Sequence, residues 1–125
     1  MKYVKTFESF LNESLSEDGI RKYYSEVCKS EGIEEIPIKF GRVAYGGAAT
    51  TYDTVSMKPL YITFDISKMR DAEYAILHEI THQMKLVKER DAYLGKRDQT
   101  SKFKKLENYL IDKYMYSNTS KLLWQ

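Results

Sequence analysis

Apolar residues recur at two different spacings along the 125-residue chain. Between Asp71 and Leu86, the positions Leu77, Ile80 and Met84 fall at i, i+3 and i+7, the stripe of a helix with one face in a core. That stretch holds no Gly or Pro, so it predicts one uninterrupted, largely buried helix. A second helix is predicted from about Thr100 to Tyr116, with Phe103, Leu106, Leu110 and Tyr114 inward, and a third from Ile20 to Ser30, ending near Gly32. Val4, Phe7 and Leu11, with Phe10 beside them, predict a short amphipathic helix within residues 1–13, and 12–19 reads as a polar linker. Period-two alternation marks strands instead. Ile36 to Phe40 reads as one, with Pro37 at its start or at a sheet edge. Ala48 to Ser56 follows the Gly46-Gly47 turn, and Leu60 to Ile66 places Ile62, Phe64 and Ile66 on one face. The charged stretch 88–97, with Gly95, reads as a loop. The expected class is therefore α+β: a short, mostly antiparallel sheet over the 71–86 helix, followed by a C-terminal helix.

Composition narrows this little. The chain is 42% hydrophobic and 30% charged with a net charge of +2, an ordinary globular balance, too weakly basic to imply nucleic acid or an anionic membrane. We expect an N-terminal segment and linker, 1–17, and a single domain over 18–125. Cys28 is alone, so no disulfide framework or cysteine-rich zinc knuckle exists; it reads as a small core residue. No apolar run approaches the ~18 residues of a membrane span. Glu8 interrupts the N-terminal stretch, so it does not read as a signal peptide, and a cytoplasmic location is expected.

The candidate chemistry lies in the predicted 71–86 helix. His78-Glu79-Ile80-Thr81-His82 reads H-E-x-x-H, and it contains both histidines of the chain. Residues four apart share a helical face, so the two imidazoles can grip one divalent metal while Glu79 reaches a water on it. Zinc is the expected ion, although a His/His/carboxylate set also suits iron or manganese. Glu79 is then the general base, taking the proton of the attacking water and passing it to the leaving amine. A catalytic zinc needs a third protein ligand. No further histidine exists, so a carboxylate is expected, with Gln or Tyr less favoured. Asp98 is the first candidate and Glu107 its rival; Asp91 and Gln99 are further ones. Glu107 shares a helical face with Phe103, Leu110 and Tyr114, and an inward carboxylate is costly unless paired or metal-bound. Asp98 could instead simply cap the last helix. Asp65 is a candidate partner for a histidine, and Tyr93, Tyr109 and Tyr114 are candidate hydrogen-bond donors to an oxyanion.

The motif and the order of elements over roughly residues 36–116 resemble the minimal zincin core of zinc metallopeptidases. The resemblance implies peptide-bond hydrolysis, with extended substrate added to the edge strand before the helix, the position held here by Tyr61 to Ile66. Gly95 to Glu107 is similar to the SprT-type pattern, in which a loop histidine precedes a helix through Gly-x-x-Phe. Phe103 matches, but Gln99 stands where that histidine belongs and Asp98 is one residue off. Gluzincins, which take the third ligand from a glutamate on the following helix, resemble the Glu107 arrangement. At the N-terminus, Lys5-Thr-Phe-Glu-Ser-Phe-Leu-Asn-Glu13 is similar to the capsid-targeting propeptides of T4-like phage internal head proteins. Those are cut after a hydrophobic-x-Glu triplet, which Leu11-Asn12-Glu13 and Leu15-Ser16-Glu17 both fit. That resemblance implies a phage protein associated with the capsid, in the virion or the host cytoplasm. The reading is a zinc metallopeptidase acting on a peptide or protein. Its rivals are an inactive zincin-like binding module and a virion protein whose motif is incidental.

Overall fold

The computed structural model describes residues 15–44, 46–56, 58–85 and 101–124. The expectations for residues 1–13 and for the 88–97 loop lie outside them. The described chain is α+β. Helix α1 (Glu17–Glu31) leads to strands β1 (Ile38–Phe40), β2 (Ala48–Tyr52) and β3 (Pro59–Phe64), then a 3-10 turn (Ile66–Lys68). Helices α2 (Ala72–Lys85), α3 (Ser101–Tyr114) and α4 (Ser120–Leu123) complete the order. None of the described helices is long and apolar enough to cross a membrane.

Helix α1 starts earlier than its apolar pattern implies, because Ser16 caps it: its hydroxyl accepts from Gly19 N–H at 3.0 Å. Glu17 and Asp18 in the first turn and Lys29 in the last suit the helix dipole, and Gly32 ends the helix in the left-handed region, φ 69°. The Leu15-Ser16-Glu17 triplet is thus the start of a helix. Gly19 itself is required by contact. A Cβ there would sit 2.5 Å from the Leu123 carbonyl oxygen, so α4 rests directly on the first turn of α1.

The sheet corrects two expectations. Strand order is β1-β3-β2, so β3 is the central strand and β2, not the Tyr61–Ile66 segment, forms the edge beside the motif helix. The sheet is also mixed: β1 runs parallel to β3 (Ile38 opposite Ile62), while β2 runs antiparallel (Thr50 opposite Ile62). The physical reason is burial. Ile62 and Phe64 are fully buried on one face of β3, and a strand this apolar gains most from neighbours on both sides. Ile66 leaves the strand for the 3-10 turn, and β2 stops at Tyr52 because Asp53 closes the hairpin, its carboxylate accepting from Val55 N–H at 2.9 Å.

Helix α2 lies at the centre, touching α1, α3, β2 and β3. Asp71 caps it by accepting from Tyr74 N–H (3.1 Å). Ile76, Leu77 and Ile80 join Ile20, Tyr23 and Val27 of α1, Ile62 and Phe64 of β3, and Leu110 of α3 in one core. Cys28 belongs to it, and burial pushes its thiol up to about 12, an unreactive state.

Candidate metal centre

Helix α2 turns one face to the core and the other, carrying His78 and His82, towards α3 and β2. The rings lie one helical turn apart, centroids 5.0 Å, at 88° to each other. Phe103 of α3 packs against both, at 5.1 Å from His78 and 4.7 Å from His82. Tyr74 lies 5.7 Å from His78, and Tyr52 of β2 meets His82 edge-on at 6.3 Å. Glu79 and His82 are buried, whereas His78 keeps some access to solvent. The histidines thus lie at the boundary between core and surface, walled by aromatic rings that hold their rotamers.

Two polar contacts define the site. Glu107, one turn after Phe103 on α3, sets Oε2 2.5 Å from His78 Nδ1, and its carboxylate is almost wholly buried. Thr50 of β2 donates its hydroxyl to Glu79 Oε1, also at 2.5 Å. One nitrogen of each histidine and one oxygen of Glu79 lie within 4.8 Å of one another, and among the described residues no other three His, Cys, Asp or Glu side chains converge in this way. Tetrahedral zinc bonds of about 2.1 Å would set donor atoms roughly 3.4 Å apart. The donor atoms lie within 4.8 Å of one another, and two imidazoles beside a carboxylate are a donor set that suits a divalent cation.

No protein-family model, curated protein or solved structure matches the chain. The site must be judged on its geometry. Of the candidate third ligands, Glu107 is at the site, but its carboxylate is on His78 rather than in the converging group. Asp98, Asp91 and Gln99 lie outside the described residues, as does Tyr93.

Asp65 does not serve a histidine. It accepts from Ser67 Oγ (2.5 Å) and Val43 N–H (3.2 Å), fastening the loop after β1 to the turn after β3. The Ser67 hydroxyl, with Val43 N–H and Lys68, holds its carboxyl below the usual range against the pull of partial burial. Tyr109 and Tyr114 are likewise committed elsewhere. Both donate to Glu31 Oε2, at 3.1 and 2.5 Å, joined by Lys113 Nζ at 3.0 Å. Burial opposes ionisation of Glu31, yet these three donors outweigh it and keep the carboxyl below its ordinary value. The cluster ties the last turn of α1 to α3.

Thr50 and Tyr52 were missed by sequence reasoning. Their signal was weak but present: Thr50 and Tyr52 alternate on one face of a strand, and that face meets whichever helix covers the sheet.

Proposed function

We propose that the chain is a zinc-dependent peptidase, with His78 and His82 as metal ligands and Glu79 as general base. The observation that carries this reading is the placement of the Glu79 carboxylate: an oxygen within 4.8 Å of a nitrogen of each imidazole, and a hydrogen bond to Thr50 on the sheet's edge strand. When bound, the cation would polarise a peptide carbonyl and acidify a water. Glu79 takes the proton of the attacking water and delivers it to the amine that leaves. Glu107 fixes the ring of His78 through Nδ1, which leaves Nε2 as the donor nitrogen, a support commonly seen behind metal-binding histidines. Asp98 is the first residue to test as a third ligand.

The edge supplies a place for substrate. Asp65 N–H donates to Gly47 O at 2.8 Å and Asp53 N–H to Lys58 O at 2.9 Å, so residues 47, 49, 51 and 53 turn their backbone polar groups towards β3. Ala48, Thr50 and Tyr52 therefore turn theirs outward, and among the described residues no strand pairs with them there. An extended peptide adds to that row, which brings its carbonyls alongside Glu79.

The test is zinc stoichiometry by elemental analysis on protein stripped with chelator and reloaded, with cleavage of denatured casein in parallel. Wild type should hold one zinc, Glu79→Gln should hold it without cleaving, and His78→Ala should hold none. Loss of zinc binding in Asp98→Ala equal to that of His78→Ala would name the third ligand. Wild-type protein without zinc above background would sink the proposal. Cleavage that survives Glu79→Gln would remove the base from it.

A further inference from the structure

The Thr50–Glu79 contact joins the open edge to the proposed base, and it has chemical content of its own. The Thr50 hydroxyl is the donor and a Glu79 carboxylate oxygen the acceptor. Hydrogen bonds from a neutral donor to a charged oxygen are short and strong, and 2.5 Å lies at the short end of that class. The last torsion of a glutamate is broad and roughly two-fold, so a buried carboxylate is not oriented by rotamer preference alone. Binding Oε1 fixes the plane of the group and so the direction of Oε2. Threonine suits this task better than serine, because its branched Cβ stiffens χ1 on a strand.

The backbone of Thr50 makes the contact more than a local tether. Its side chain reaches Glu79, Tyr52 two residues on reaches His82, and the backbone groups of both face the open edge. We infer that Thr50 is a positioning residue, orienting the Glu79 carboxylate from the same edge strand on which an extended peptide docks. This rests on the peptidase reading for its consequence in turnover, but the coupling between the two side chains can be measured without it.

The experiment uses the full chain with Thr50→Val, which keeps the shape and loses the donor, and Thr50→Ser, which keeps the donor. In zinc-loaded protein cleaving denatured casein, Thr50→Val should lower kcat about ten- to a hundred-fold, the range of a hydrogen bond to a charged group, with KM and zinc content unchanged. Thr50→Ser should recover most of that loss. In chelator-treated protein, Thr50→Val should lower the denaturation midpoint in the wild-type background and not in a Glu79→Ala background. Unchanged kcat in Thr50→Val, or the same midpoint shift in both backgrounds, overturns the inference. Coupling without any cleavage by wild type keeps the orienting role and overturns the peptidase reading instead.

Discussion

Helix α2 carries two buried glutamates six residues apart, and their surroundings differ completely. In the first turn, Glu73 Oε1 accepts from Ser120 Oγ at 2.6 Å and from Tyr116 N–H at 3.0 Å, with the Tyr23 hydroxyl at 3.5 Å. Its donors come from α1 and from the turn and helix after α3, so it is a knot between distant parts of the chain. Burial, with the neighbouring Glu73 carboxylate adding to it, pushes the Tyr23 hydroxyl above its ordinary value, which keeps it a donor. Two turns later, Glu79 is bound by the Thr50 hydroxyl and lies beside two imidazoles. Residue type and helix are the same. What separates a fastening from a candidate base is whether the donors around the carboxylate are structural or face an open edge.

Substitutions should separate the two ends sharply. The largest effect is expected for Glu79→Gln, which should cut turnover about 10²- to 10⁴-fold, the range of general acid–base catalysis, while the denaturation midpoint stays near wild type. Glu73→Ala should do the reverse. It removes the short acceptor of the buried Ser120 hydroxyl, which keeps only the longer contact to Tyr114 O, and the acceptor of the part-buried Tyr116 N–H; a lost buried partner costs about 1–3 kcal/mol. Chemical denaturation should therefore show a loss of about 1–3 kcal/mol, with zinc affinity of the folded fraction unchanged. If Glu73→Ala abolishes zinc binding in folded protein, the two ends are not independent.

Two smaller effects sharpen the picture. Glu107→Ala should weaken zinc binding about 10- to 100-fold in a competition titration against a chromogenic chelator, as expected when the partner behind a histidine ligand is lost. A complete loss equal to that of His78→Ala would make Glu107 a ligand instead. The mildest effect concerns Glu31. Its folded value lies below the ordinary 4.5, so the stability it contributes is present above that value and is lost as pH falls through the folded one. Glu31→Gln should be less stable than wild type at neutral pH, and the gap should close on acidification below 4.5. A gap independent of pH would mean that the latch to Tyr114, Tyr109 and Lys113 does not depend on charge.

The candidate site was legible where it depended on local spacing. His78, Glu79 and His82 share a face by helix geometry, and the inward stripe through Phe103, Leu110 and Tyr114 already carried Glu107 towards the core. Gly32 marked the end of α1 for the same local reason. What depended on distant pairing was not legible. The alternation of Leu60 to Ile66 is the same for a central strand as for an edge strand, and only the crossing of the chain from β1 to β2 over β3 decides between them. Asp65, Tyr109 and Tyr114 were plausible site residues by type. Their actual partners, Val43, Ser67 and Glu31, are set by tertiary contacts that no spacing announces.

The seating of Leu123 on Gly19 has a consequence for synthesis. The first and last helices described close on each other, and a contact so distant along the chain can form only once residue 123 has left the ribosome. The H-E-x-x-H helix and the edge strand emerge well before that closure. A nascent chain therefore exposes the first turn of α1 until α4 has emerged to cover it.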